Sequence, residues 1–179
     1  MNVPSIFARY RAEIDAELKE VLAEYRSPMY RMLQYQLGWV DEAGRARPGS
    51  AGKALRPTLC LLASEALGDG YQKALPAAAA LELLHNFSLI HDDIQDDDCE
   101  RRHRPTVWAI WGKPQAINAG TAMRIVANRA LIRLQDRAVP VEKQIRAQRL
   151  LDEATLRLIE GQFLDISFES RHDVEVADY

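Results

Sequence analysis

From Lys73 to about Asp98 the chain runs without a glycine and with Pro76 as its one breaker. The stretch AAAALELLHNFSLI inside it is built of good helix formers. A single long helix is therefore predicted here. It carries Glu82 and His85 within the apolar tract around Leu75–Ile90, so it reads as a buried core helix, and other helices must pack around it.

The end of this helix is where polar chemistry concentrates. On a helix that advances about 100° per residue, Asp92 and Asp96 lie about 40° apart, Asp93 about 100° round from Asp92, and His85 within about 20° of it. Like charges at i, i+4 oppose the helix by a few tenths of a kcal/mol. A hard divalent cation would offset that repulsion. Mg²⁺ takes oxygen ligands and is typically held by one or two carboxylates together with substrate phosphates, which makes Asp92, Asp93 and Asp96 candidate metal ligands. The competing reading is a helix C-terminus that runs into a solvated acidic loop. Beyond these aspartates come Arg101, Arg102, His103 and Arg104. Guanidinium groups fork onto phosphate oxygens, so the acidic and basic clusters together describe a polyphosphate site held from both sides. Alternatively the two clusters pair with each other on the surface, which is worth little.

DDIQD followed by four residues and RR resembles the first aspartate-rich motif, DDxxDxxxxRR, of the trans-isoprenyl diphosphate synthases, or polyprenyl synthetases. GKALRP at 52–57, LELLHNFSLIHDD at 81–93, RPTVW at 104–108, AINAG at 116–120 and GQFLD at 161–165 resemble the same family in its order and roughly its spacing. The resemblance implies an all-α fold, a helical bundle of the isoprenoid synthase type, over a single domain spanning 1–179. It also implies Mg²⁺-dependent condensation of isopentenyl diphosphate with an allylic diphosphate (dimethylallyl, geranyl or farnesyl), in an apolar cavity that excludes water, and a homodimer.

The roles follow residue by residue from the resemblance. Asp92 and Asp96 hold the metal that binds the allylic diphosphate, which Arg101 also faces. Lys53, Arg56, His85 and Arg102 bind isopentenyl diphosphate. Gln162 and Asp165 stand at i, i+3 on the last helix. Among Phe163, Leu164 and Ile166 they read as a buried polar pair, which needs partners. A hydrogen bond between helices would serve, and the resemblance instead places the pair in the reaction cavity. Phe87 and Ser88, five and four positions before the first aspartate, floor the hydrocarbon pocket in a short-chain arrangement with a geranylgeranyl or farnesyl product. His91 lies about 100° from Asp92 and reads as a packing or supporting histidine. The chain departs from the family at Ala51, Ala54 and His103, where glycine, arginine and glycine are usual.

Elsewhere the pattern is helical: from Pro4-Ser5 through about Arg26, from Ser27-Pro28 to about Trp39, over Leu55–Leu67, from about Pro114 to Arg137, and from Pro140 to about Ser170. Asp41–Gly52 is a loop, with three glycines and a proline. No alternating strand pattern competes. Six or seven helices in an all-α bundle are expected.

Composition limits the partners. With 26 acidic against 23 basic residues, a net charge of −3 gives no electrostatic footprint for nucleic acid. No uncharged apolar run reaches the roughly 18 residues of a membrane span. Cys60 and Cys99 lack metal or disulfide spacing, so a reduced, cytoplasmic chain is expected. No secretory leader is evident in Met1–Tyr10.

Members of the resembling family run to about twice this length and carry a second DDxxD downstream, with no counterpart after Asp98. The expectation is therefore a bundle lacking its C-terminal helices, part of a longer enzyme. A half-length natural chain would instead suit a non-catalytic diphosphate-binding or regulatory subunit of a synthase. A class I terpene cyclase shares the metal logic but has no use for Lys53, Arg56 and His85.

Overall fold

The computed structural model describes residues 6, 8–47, 52, 54–68, 70–171 and 173–176. Among them the order is α1 (Arg11–Leu22), α2 (Tyr30–Gln36), α3 (Leu55–Ala66), α4 (Leu75–Gln95), β1 (Glu100–Arg101), β2 (Arg104–Pro105), α5 (Val107–Trp111), α6 (Lys113–Ile132) and α7 (Val141–Phe168). One-turn 3-10 segments precede α4 at Gln72–Ala74 and follow α6 at Arg133–Arg137.

α4 is the central element. Its start is set by Pro76 in the first turn, where a missing N–H costs no hydrogen bond. Ala78, Ala79, Ala80 and Leu83 are fully buried, and so are Ala116, Ala119, Met123, Ala127 and Ala130 of α6. Small side chains on both helices let the backbones approach closely, and this pair forms the most extensive interhelical contact of the fold. α1 closes one side through Tyr10, Ile14, Leu18, Val21 and Leu22. Its one inward carboxylate, Glu17, is 2% exposed and paired with Arg133 at 2.9 Å and Arg137 at 2.8 Å.

The helix ends where Asp97 takes φ 55° and the Asp98 amide donates back to the Asp93 carbonyl at 3.0 Å. That left-handed residue and six-residue return bond make a Schellman-type stop, with aspartate in the place glycine usually takes.

Two features differ from the sequence reading. Glu100–Arg101 and Arg104–Pro105 pair as an antiparallel hairpin where no strand was expected. Its two-residue turn, Arg102-His103, has φ of 55° and 60°. Positive φ at both central positions marks the type I′ geometry that matches strand twist, and it explains why glycine suits position 103. α7 buries Leu151 and Thr155 but leaves Ile145, Leu156, Ile159 and Phe163 exposed. No helix among the described residues is long and apolar enough to cross a membrane.

Candidate active site

The C-terminal turn of α4 divides its aspartates between two directions. Asp92 is half-buried and Asp96 exposed, one turn apart on the same side. Burial pushes the Asp92 carboxyl above the ordinary range; the charge of Asp96 adds to this, as does Asp165 from α7, while Arg101 opposes. This carboxylate is therefore repelled by its neighbours, and a cation would relieve it.

Asp93, grouped with these two in the sequence reading, turns inward instead. It is 1% exposed, and its Oδ1 accepts from Arg101 Nε at 2.5 Å while Oδ2 has no hydrogen-bond partner. Burial raises its carboxyl although Arg101 pulls the other way. The rotation of about 100° per residue suffices to take Asp93 off the face of its neighbours. The described residues hold no group of three carboxylate, histidine or cysteine side chains placed to share a metal ion. Asp92 and Asp96 alone form a pair of hard oxygen donors, which suits a cation whose other ligands are water and phosphate, not an all-protein cage.

The hairpin carries the arginines in fixed directions. Arg104 is not free for phosphate. Its guanidinium lies 4.0 Å over the Tyr35 ring and donates to the carbonyls of Tyr35 and Val40 at 3.2 and 3.1 Å. Tyr35 in turn donates its hydroxyl to the Pro105 carbonyl at 2.7 Å. Thr106 Oγ1 and Trp108 Nε1 both donate to the Asp98 carbonyl at 2.8 Å, and Lys113 pairs with Asp97. The family-like RPTVW run thus locks the hairpin against the end of α4. His103 projects fully into solvent, 3.7 Å from Glu100.

Arg102 lines a cavity of about 370 Å³ together with Gly52, Ala54, Leu55, Arg56, Glu82 and His85. His85 is drawn down to about 4, first by burial and then by the fields of Arg56, Arg102 and Arg101. Nothing in ordinary solution depresses a histidine so far. With Arg56 and Arg102 both lining the space, it suits an anion. Three of the four sequence-predicted isopentenyl diphosphate ligands converge here; Lys53 lies outside the described residues.

Sequence reasoning passed over Glu82, half-buried in the same cavity. Burial raises its carboxyl, while a hydrogen bond from Asn86 and the charges of Arg11, Arg102 and Arg56 pull it down. Its signal was available, since an acid three residues before His85 shares that helix face.

Phe87 and Ser88 are buried, at 6% and 9% exposure. Ser88 Oγ donates to the His85 carbonyl at 2.9 Å, and Phe87 meets His91 edge-on with ring centroids 4.8 Å apart. His91 packs as a supporting residue. A Cβ at Gly120 would stand 2.4 Å from its Cδ2 and 2.5 Å from its Nε2, so the glycine of AINAG makes room for the ring. Burial lowers the His91 ring, with the Ile117 carbonyl and Asp92 acting against it.

The expectation for the last helix is corrected. Gln162 is half-buried and Asp165 exposed, beside an exposed Phe163, so the two do not form a buried pair. Among the described residues α7 buries only Leu151 and Thr155, upstream of them, and ties to α6 there through the ion pair of Asp152 with Arg124. Asp165 nonetheless lies close enough to raise Asp92.

Residues 38–179 match the polyprenyl synthetase family model. The chain is 44% identical over 161 residues to (2E,6E)-farnesyl diphosphate synthase of Mycobacterium tuberculosis, covering 90% of this chain and 44% of that protein. It is 40% identical over 175 residues to geranylgeranyl diphosphate synthase of the same organism, covering 98% and 49%. The crystal structure of a polyprenyl synthetase from Streptomyces coelicolor superposes with a TM-score of 0.88 at 40% identity, over 99% of this chain and 51% of that one. Geranylgeranyl pyrophosphate synthetase from Geoglobus acetivorans gives a TM-score of 0.83 at 38% identity, over 97% and 53%. The chain spans about half the length of the curated relatives it matches. With its acidic pair, its cationic cavity and its helices in register with these proteins, the chain belongs to the polyprenyl synthetase family.

Proposed function

We propose that this chain supplies the isopentenyl diphosphate pocket and the first metal-binding carboxylates of a short-chain trans-prenyltransferase. The observation that carries the reading is the cavity in which Arg56, His85 and Arg102 converge, two helical turns from Asp92 on α4. Relatives named farnesyl and geranylgeranyl diphosphate synthases support the short-chain product.

Asp92 and Asp96 would hold Mg²⁺, which when bound to the allylic diphosphate neutralises the leaving charge and favours ionisation. Arg101, steadied by Asp93, donates to that diphosphate from the other side. Its carbon–oxygen bond breaks and pyrophosphate leaves with the electron pair. Arg56, Arg102, His85 and Lys53 hold isopentenyl diphosphate so that its double bond attacks the allylic cation. A carbon–carbon bond forms, a proton is lost, and the product is five carbons longer. Phe87 and Ser88 floor the hydrocarbon pocket, and the apolar walls keep out water that would quench the cation. Gln162 and Asp165 face the allylic side of the reaction from α7. By likeness to the family the assembly is a homodimer, which sedimentation at working concentration checks.

The test is incubation with Mg²⁺, labelled isopentenyl diphosphate and allylic primers, followed by chromatography of the dephosphorylated product. A C15 or C20 alcohol, lost on Asp92→Ala, supports the reading. Chains of thirty carbons or more would end the short-chain assignment. Binding of isopentenyl diphosphate without any product would turn the reading toward a diphosphate-binding subunit.

A further inference from the structure

Arg11 belongs to none of the motifs above and precedes residues 38–179, which match the family model. From α1 it reaches the loop before α3, where its Nη1 donates to the Gly52 carbonyl at 2.5 Å while its Nε holds Asp15 at 2.8 Å. Gly52 is engaged on its other side as well. A Cβ there would stand 2.4 Å from Arg102 Nη1, 3.1 Å from Cζ and 3.2 Å from Nη2, so the Arg102 guanidinium lies directly against the glycine backbone. Glu82, Gly52 and Arg102 line both the anion cavity and a small neighbouring cleft, which Arg11, Asp15 and Asn86 line as well. The order of contact is thus Asp15, Arg11, the Gly52 carbonyl, the Gly52 face, and Arg102 inside the cavity.

We propose that Arg11 is a positioning residue for the diphosphate pocket: by holding the Gly52 carbonyl it fixes the backbone surface on which Arg102 is seated. The inference rests on the reading of that cavity as the isopentenyl diphosphate pocket. Arg102 needs such a seat. It projects from a turn in which it and His103 both sit in the left-handed region, and its long side chain has several rotamers that a fixed neighbouring surface restricts. Without Arg11 the Gly52 carbonyl exchanges a charge-assisted hydrogen bond for water, the loop shifts, and Arg102 samples conformations that do not face the ligand.

Isothermal titration calorimetry on the 179-residue chain tests this, with isopentenyl diphosphate and with inorganic pyrophosphate as a headgroup probe. Arg11→Ala is expected to bind both about tenfold more weakly, the range for losing a hydrogen bond to a charged group. Arg11→Lys, which keeps a donor for the Gly52 carbonyl, recovers affinity to within about threefold of the parent. Arg9→Ala loses an ion pair with Glu65 and a contact over the Tyr10 ring, both away from the cavity, and binds as the parent does. Gly52→Ala displaces Arg102 directly and weakens binding without touching α1. In that background Arg11→Ala costs less than about twofold, because the seat is already lost. A mere stabilising role for Arg11 would instead lower the melting temperature equally in both backgrounds and leave the Kd where it was, and that result overturns the proposal. Should Arg11→Ala fail to fold, unchanged binding by Gly52→Ala overturns it as well. A parent chain that binds neither probe removes the pocket reading and this inference together; a parent that binds, with Arg11→Ala equal to it, removes this inference alone.

Discussion

Gly120→Ala tests the packing that underlies the site. The new Cβ would meet His91 Cδ2 at 2.4 Å and Nε2 at 2.5 Å, with Ile90 Cγ2 at 3.3 Å. Ordinary carbon contacts begin near about 3.5 Å, so the imidazole must retreat by roughly 1 Å. Phe87 stands edge-on to the ring with centroids 4.8 Å apart, which limits retreat on that side. Overpacking of this kind costs about 1–3 kcal/mol, and alanine returns about 1 kcal/mol over glycine in a helix interior. Because His91 is half-buried and can rotate part-way toward solvent, the net loss is placed at about 1 kcal/mol, a fall of roughly 2–4 °C in Tm for a chain of this size. Denaturant unfolding of a double-mutant cycle with His91→Ala is the decisive assay. With the ring removed the clash disappears, and Gly120→Ala should become stabilising by up to about 1 kcal/mol. The same sign in both backgrounds would refute the argument that position 120 is glycine to admit His91.

Four further outcomes are expected. Burial first, and then the fields of Arg56, Arg102 and Arg101, hold His85 at about 4; isopentenyl diphosphate brings negative charge beside the ring and should raise it. The complex then holds more protons than the free chain, so affinity rises as pH falls below about 6.5, and His85→Gln, carrying only the ligand's own titration, shows a shallower slope in calorimetry. Asp92→Asn removes a carboxylate that burial, Asp96 and Asp165 all disfavour, so stability at pH 7 should rise by a few tenths of a kcal/mol while Mg²⁺-dependent binding of an allylic diphosphate falls at least about tenfold. His103→Gly relieves the left-handed strain at φ 60° and should stabilise by up to about 1 kcal/mol in denaturant unfolding. Glu17→Gln leaves Arg133 and Arg137 without their buried carboxylate and should cost about 2–3 kcal/mol, less than the roughly 3–5 kcal/mol usual for a broken buried pair because both arginines are part-exposed and Arg133 keeps Glu20.

The long helices were legible because their breakers are explicit: Pro76 and Pro140 mark starts, Gly68 and Gly70 end α3, and the apolar spacing between such breakers is helical, whereas the five-residue α5 is too short to show a period. The hairpin was not, since two-residue strands carry no period and a positive φ at His103 leaves no trace in the residue type. The arithmetic that set Asp93 about 100° from Asp92 was sound, but an angle alone does not say which side of the helix is the interior. Burial decides it: the same rotation that leaves Asp92 beside Asp96 puts Asp93 at 1% exposure against Arg101. The acidic motif therefore contains two devices, a solvent-side pair for a cation and an inward anchor for the first arginine. The paired arginines split likewise, Arg101 held from α4 and Arg102 seated on Gly52. Gln162 and Asp165 show the opposite failure, because apolar neighbours suggested burial that α7 provides only further upstream, at Leu151 and Thr155. Motif residues disclose which groups meet a ligand; what aims them, here Arg11 for Arg102 and the inward turn of Asp93 for Arg101, becomes visible only in the folded chain.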